Sequence, residues 1–536
     1  MGEAAAAPIY GDSTGSPASA GTSLVVEPAI EPVLTDNFNP FDASSPLGAM
    51  GAPDFIYEPL LQYDELQVDQ YYPWLAQSWT FSTSGLTITF NLRSGVHWDD
   101  GSPLTAADVA YTFNLLRAYP AIAHGLPIVS AVASSPSTFV LTLSRPGYSY
   151  LYDIAQVPIV KAGFASGHDP STYAVKDPDG TGPFMLARPS DASRSRVVLT
   201  ARPKYWQSGS PSVSQLVFPA YKDVGAVQAA LASGALDWAG NFMPDVARDF
   251  LDKDQKDNHF WAPPVGMVSL VPNLGRYPLD QAAVREAISQ AISRKGLSQS
   301  VTGGVDPPAT SSTGLVVPVD GSYLSASQAN DVDSTAQAVA AAKTMTAAGF
   351  HLGPRYWEDR AGKAVAFTIS AQAGTVDASV AVALAAQLRA SGFDVTATSL
   401  SARAWASTWA GGNFTAALYS VATGPSPYYL YQGWMSSRAA GADPAPAAKK
   451  MLAPSVALAR YQDNPPTSAA ATSAIKSLAA YVSDQVAVVP LMYSVAWAEY
   501  STRHATGWPN GANPYEPASP SAPFDEYTVL QLTPTG

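Results

Sequence analysis

VALAAQLRASGFDVTATSL, Val382 to Leu400, changes character half-way along. Its first half is rich in alanine and leucine, with Gln387 and Arg389 among them, which favours a helix. Gly392 stands where a helix commonly ends in a left-handed residue. Apolar residues then alternate from Phe393 toward Thr398, the period of a half-buried strand. Helix, glycine and strand in direct succession are the local signature of α/β layering. AAKTMTAAGF, Ala341 to Phe350, repeats the first two parts and ends its helix at Gly349.

Other stretches extend the pattern. LVVEPAIEP, from Leu24, reads as a buried strand running into a turn, and TDNFNPFD, Thr35 to Asp42, as a loop in which Asn39 holds its own backbone. Leu86, Ile88, Phe90 and Leu92 alternate on one face of a strand. Asp100-Gly101 marks a turn, and Thr105 with Asp108 three residues on has the form of a capping box. Val109, Phe113 and Leu116 then recur at helical spacing. Thr138 to Ser144 forms another strand, Gly180 to Ala187 a turn leading into one, and the segment from Val224 a helix ending near Gly234. DQAAVREAISQAISRKG, Asp280 to Gly296, predicts one helix with an apolar stripe of Val284, Ala287, Ile288, Ala291 and Ile292. Arg294, Lys295 and Gly296 sit where its C-terminus is expected. The fold class that follows is mixed α/β with at least two lobes.

Composition narrows the function. The chain has 536 residues, 47% of them apolar, and a net charge of −13. With 30 Lys+Arg and no basic run, it is poorly suited to neutralising phosphates, so no nucleic-acid partner is expected. No cysteine is present, which excludes disulfides, thiolate metal sites and a cysteine nucleophile. No stretch approaches the apolar length needed to span a bilayer. The small, turn-rich start, residues 1–22, is expected to be a disordered lead-in. It has no apolar signal core, and the expectation is that an export signal once preceded it.

The search for catalytic chemistry is largely negative. The six histidines include no pair at metal-ligand helical spacing, and neither a phosphate-binding nor a dinucleotide-binding glycine motif is present. Gly11 to Gly15 spells G-x-S-x-G, but no strand precedes it and no helix follows, as a nucleophile elbow requires. Asp99-Asp100 belongs to a DDG turn rather than to the facing carboxylates of a glycosidase. No cofactor and no metal are expected.

Several segments together resemble the family 5 extracellular solute-binding proteins of ABC importers, the oligopeptide- and dipeptide-binding type. They are DFIYEPLLQYD, LAQSW, GLTITFNLRSGVHWDDGSPLTAADVAYTF, GTGPFML, Tyr205-Trp206, LASGALDW and LDQAAVREAISQAISRKGL, in that order. The resemblance implies a two-lobed periplasmic-binding-protein-like fold with a hinge and the ligand between the lobes. It implies a first lobe over 23–270 with a subdomain inserted at about 45–178, a second lobe over 271–490, and a return to the first over 491–536. It also implies a monomeric, non-enzymatic protein outside the cytoplasm, with or without a lipid anchor. Its partners would be a small-molecule ligand and the membrane subunits of an ABC permease.

In peptide-binding members, the region matching Ala422 to Pro427 typically carries an Asp that pairs with the peptide ammonium. Here the segment is Ala-Thr-Gly-Pro-Ser-Pro, with Thr423 at that position. A zwitterionic ligand buried without its counter-charge costs several kcal/mol. A neutral, hydroxylated ligand needs rings for its C–H faces and neutral polar groups for its hydroxyls. Candidate ligand-binding residues are therefore Thr423, Gly424, Tyr428, Tyr429 and Trp434 in ATGPSPYYLYQGW, together with Trp238, Asn241 and Phe242 in LDWAGNF. Trp508 in TGWPNGANPY completes the set with Trp405 and Trp409, which share a helical face. These segments resemble the branch of the family that binds cello- and related β-linked oligosaccharides. A peptide binder with another anchor, such as Asp237 or Glu499, is the alternative, and a glycoside hydrolase a distant one.

Overall fold

The computed structural model describes residues 21–27, 34–51, 53–123, 125–188, 194–207, 210–240, 242–243, 245–317, 319–435, 453–520 and 522–535. The expected lead-in lies outside them, apart from residues 21 and 22.

The chain divides into two compact units. Unit 1 comprises the residues up to Asp64, Gln70–Pro263 and the chain from Ala496 onward; unit 2 comprises Glu65–Asp69 and Pro264–Val495. The crossings thus fall at 263/264 and 495/496, not at 270/271 and 490/491. The reason is that Pro264–Pro272 and Val489–Val495 pair along their length in one sheet of unit 2. The short excursion Glu65–Asp69 has no counterpart in the sequence expectation.

Unit 1 holds three main sheets. Ser23–Val25 runs parallel to Gln215–Pro219, followed by Arg196–Ala201 and Phe184–Leu186 in antiparallel order. A four-stranded antiparallel sheet is built from Ala76–Phe81, Thr87–Leu92, Thr138–Leu143 and Ile128–Ser135. Helix Ala106–Ala118 contributes Val109, Phe113 and Leu116 to the same core as Ile88, Phe90 and Leu141. The capping box expected for that helix is present, and Asp108 accepts from the Thr105 backbone N–H at 2.9 Å. The third sheet joins Trp238–Ala239, Ala498–Ser501 and Asn258–Trp261. Its middle strand comes from the chain's return. The Gly-Thr-Gly turn has a steric cause: a Cβ on Gly180 would lie 2.0 Å from the Ile56 carbonyl oxygen, and one on Gly182 2.3 Å from that of Phe55.

Unit 2 is organised by a five-stranded mixed sheet in the order Asp394–Leu400, Ala366–Gln372, Ala416–Ala422, Pro264–Pro272, Val489–Val495. The first three strands are mutually parallel and the last two antiparallel to their neighbours. The opening quotation is its crossover: helix Val376–Ala390, Gly392 at φ +87°, and strand Asp394–Leu400. Val380, Leu384 and Leu388 bury the helix against Ile369 and Val395.

Two helices differ from expectation. The segment from Asp280 forms Ala282–Ala291 and then a second helix, Arg294–Thr302. Ile292 and Ser293 are extended, and the Ser293 hydroxyl accepts from the Gly296 N–H at 3.1 Å. Serine here is an N-cap, which overrides the C-terminal reading of Arg294-Lys295-Gly296. Arg294 is buried, donating to the Pro490 and Ser289 carbonyls and the Ser289 hydroxyl. The second half of ATGPSPYYLYQGW opens helix Pro427–Met435. Pro427 occupies its first position, where a missing N–H costs nothing.

Candidate functional site

The sequence-expected residues fall in both units. In unit 1, Trp238 is fully buried and its indole N–H donates to the Ala518 carbonyl. Trp508 meets it edge-on at 5.2 Å and stacks on Tyr500, also at 5.2 Å. The Trp508 N–H donates to the Ala505 carbonyl at 2.9 Å. These two tryptophans, candidate ligand-binding residues from the sequence, are brought together and pack on each other. The return strand supplies the core that the sequence could not show. Phe242 is half-buried, edge-on to Trp497 at 5.1 Å. Asn241 lies outside the described residues.

Beside Trp508 opens a pocket of about 430 Å³ lined by His259, Trp261, Tyr500, Thr502, Asn510 and Asn513 among others. Strand alternation explains the wall. His259 pairs with Tyr500 and Trp261 with Ala498, so these side chains share one face of the three-stranded sheet. His259 stacks on Tyr500 at 5.4 Å and approaches the Thr502 hydroxyl at 3.2 Å. Asn510 is spent on its own turn, accepting from the N–H groups of Ala512 and Asn513.

The opposite face carries Phe260, which meets Trp497 at 5.2 Å. Trp497 thus touches both Phe242 and Phe260, and all three rings are half-buried. Glu27 lies in the same unit, just past strand Ser23–Val25. Its N–H donates to the Trp238 carbonyl at 2.8 Å, and its Oε2 accepts from the Gly240 N–H at 2.9 Å. Burial pushes its carboxyl up to about 7.

In unit 2, Trp405 and Trp409 sit on helix Ala402–Gly411, and both are buried. Trp409 lies 4.0 Å from Tyr419, between centroids, and stacks on Phe414 at 5.6 Å and 6°. Tyr419 is half-buried on strand Ala416–Ala422. That strand leads into Thr423, which is fully buried. The Thr423 N–H donates to the Val265 carbonyl at 2.9 Å, and its hydroxyl to the Gly424 carbonyl at 3.0 Å. Gly424 adopts φ +56°. On the next helix Tyr428, Tyr431 and Trp434 recur every three residues and are buried, whereas Tyr429 is half-buried. Tyr428 stacks on Tyr461 at 4.7 Å. Trp434 fills the space over Gly314, where a Cβ would lie 2.5 Å from the indole. Helical spacing turns Tyr428 and Trp434 inward.

Two carboxylates adjoin these segments. Asp69, at φ 57°, donates its N–H to the Pro425 carbonyl and accepts from the Tyr461 hydroxyl at 3.1 Å. Asp237 is engaged, accepting from the Val25 N–H at 2.8 Å and meeting His504 Nδ1 at 2.7 Å. It is not available as a ligand anchor. Glu499 is fully buried. Among the described residues, no group of three or more metal-ligating side chains is present.

Against known proteins, the description "bacterial extracellular solute-binding proteins, family 5, middle" matches residues 70–442. The chain belongs to this family. It is 29% identical over 262 residues to a nickel-binding periplasmic protein of Escherichia coli, covering 46% of this chain and 48% of that one. It is 30% identical over 285 residues to a putative ABC transporter peptide-binding protein of Brucella ovis, covering 51% and 52%. The matches therefore span about half the length of these relatives. Among solved structures it is similar to a periplasmic oligopeptide-binding protein of Thermotoga maritima, with a TM-score of 0.81, 22% identity and coverage of 96% and 99%. The mannohexaose-bound form of that protein gives a TM-score of 0.75 at 21% identity, with coverage of 96% and 99%. The mixed α/β, two-unit fold implied by the sequence resemblance is the one shared with these periplasmic binding proteins.

Proposed function

We propose that this family 5 chain is the extracytoplasmic ligand-capturing component of an ABC importer, and that its ligand is a neutral, β-linked oligosaccharide. It binds and delivers its ligand to permease subunits without transforming it. The observation that carries the ligand reading is Thr423. In the segment Ala422 to Pro427 a buried hydroxyl, closed on the Gly424 carbonyl, stands where an ammonium-pairing carboxylate is expected of a peptide binder. A backbone-bonded hydroxyl offers no counter-charge to a buried ammonium, whose desolvation then goes uncompensated. The half-buried rings Phe242, Trp497, Tyr419 and Tyr429 are of the kind on which pyranose C–H faces stack. No helix among the described residues is long and apolar enough to cross a membrane.

A peptide ligand is the second reading. Asp69, beside the same segment, favours it, since its backbone N–H donates to the Pro425 carbonyl while its carboxylate accepts from the Tyr461 hydroxyl. Titration calorimetry with cellobiose, xylobiose, mannobiose and a set of dipeptides separates the two. Saturable heat from a disaccharide and none from dipeptides is the expected result. Heat from dipeptides alone overturns the saccharide assignment. Chromatography of the same mixtures should recover the sugars intact.

A further inference from the structure

We propose that Glu27 and the ring patch beside it form a hydroxyl-recognition site in unit 1, where a pyranose stacks on Trp497 and Phe242 while Glu27 accepts hydrogen bonds from adjacent ligand hydroxyls. This rests on the saccharide reading and deepens it.

The backbone fixes the carboxylate in place. Val26 bridges Trp238 in parallel, and the Glu27 N–H is tied to the Trp238 carbonyl at 2.8 Å. The next fixed point is Gly240, whose N–H donates to Glu27 Oε2 at 2.9 Å. Gly240 admits no side chain: a Cβ there would lie 2.6 Å from the Ser519 hydroxyl, 3.1 Å from the Trp497 carbonyl oxygen and 3.2 Å from Pro520. One glycine thus touches the carboxylate on one side and the backbone of the central ring residue on the other. Trp497 holds Phe242 and Phe260 at 5.1 and 5.2 Å, so the rings are mutually braced and lose little freedom when a ligand stacks on them.

Among the described residues, the carboxylate itself is under-served. Among the described residues, Gly240 is its one hydrogen-bond donor to the side chain, and no cation pairs with it. An ionised carboxylate has about four lone-pair positions. Burial without further donors is what raises the Glu27 carboxyl to about 7. Vicinal hydroxyls from a sugar supply the missing donors in the geometry a carboxylate takes up two at a time. A packing role gives no reason to hold an acid half-buried near partly exposed rings with a single donor among the described residues.

Calorimetry on the full chain and on Glu27→Gln and Trp497→Ala tests the assignment, with cellobiose, mannobiose and a dipeptide as probes and thermal unfolding as a control for folding. The expected result is at least a tenfold loss of disaccharide affinity in Glu27→Gln, with an unchanged melting temperature and a comparable loss in Trp497→Ala. Wild-type binding of a disaccharide that Glu27→Gln retains in full overturns the site while leaving the saccharide reading intact. If the wild type binds dipeptides alone, the saccharide reading falls and the hydroxyl-recognition role falls with it. The same variant then shows whether Glu27 instead meets an ammonium.

Discussion

Glu27 and Glu58 are two carboxylates of unit 1 in aromatic surroundings, each pushed up to about 7 by burial. Glu58 is fully buried, and its Oε1 accepts from the Trp74 N–H at 2.9 Å, the Trp206 N–H at 2.9 Å and the Tyr205 hydroxyl at 2.5 Å. The two tryptophans cross edge-on at 5.5 Å. Rings at Glu58 aim their polar edges at the acid, so its aromatic neighbours are its donors. The rings nearest Gly240, the donor to Glu27, touch one another instead, and among the described residues the acid takes a single backbone N–H. The same two ingredients thus make a structural clasp in one place and an incomplete recognition patch in the other. What separates them, among the described residues, is the number and kind of donors: three ring donors converge on Glu58 Oε1 while its Oε2 has none, whereas Glu27 Oε2 meets one backbone N–H.

The largest effect should come from breaking the clasp. Glu58→Ala leaves the Trp74 and Tyr205 donors buried, and the Trp206 donor part-buried, without their acceptor, a loss of about 3–5 kcal/mol. Glu27→Gln, which removes a poorly compensated charge, should leave stability at pH 8 unchanged or slightly raised. Urea unfolding of both variants measures the contrast. Equal losses would erase the distinction and make Glu27 a structural group as well.

Next in size is the pH dependence of stability. Asp54, Asp153, Asp306 and Asp320 join Glu27 and Glu58 in being raised to about 7 by desolvation. Unfolded, these acids lose their protons near their ordinary values of 3.8 or 4.5; folded, they keep them until about 7. The folded state therefore binds more protons between about pH 5 and 7, and stability falls as pH rises through that window, at up to about 1.4 kcal/mol per pH unit for each group. Urea midpoints at pH 5, 6, 7 and 8 should decline steadily. Glu27→Gln should flatten part of the decline without lowering the value at pH 5. A midpoint that rises from pH 5 to 8 would contradict the desolvation of these acids.

The periodic parts of the fold were legible in the sequence, because their causes are local. Helix Val376–Ala390, its glycine and its strand follow from spacing alone, as does the Thr105–Asp108 capping box. The reading slipped where one residue serves two signals. Ser293 reads as part of a continuing helix until its hydroxyl is seen to cap the next one, and Pro427 reads as a breaker until it is seen to start a helix. The site was legible mainly as composition. Thr423 and Phe242 could be named from their segments. Glu27 could not, since the N–H it accepts lies 213 residues on, and neither could Trp497, which touches Phe242 only because the chain returns to unit 1. Trp238 and Trp508 were legible as loop tryptophans but not as each other's neighbours.

Asp69, an acid of unit 2, gives the smallest effect. It is half-buried, its carboxyl is pushed up to about 6 by burial, and it accepts from the hydroxyls of Tyr461 at 3.1 Å and Tyr323 at 3.5 Å. Tyr461 also shares a hydrogen bond with the Ser426 hydroxyl at 2.7 Å and stacks on Tyr428. Tyr461→Phe keeps the stack and removes the donor, so the loss isolates the hydroxyl, at roughly 0.5–1.5 kcal/mol. The bond to an ionised carboxylate is the stronger one. Asp69 is ionised at pH 8 and largely protonated at pH 5, so the variant should lose more at pH 8 than at pH 5, as read by urea unfolding at both. An equal loss would assign the hydroxyl's contribution to Ser426 alone. Asp69 would then resemble Glu27, an acid held near the Thr423 segment with capacity to spare, and the peptide reading would gain its anchor.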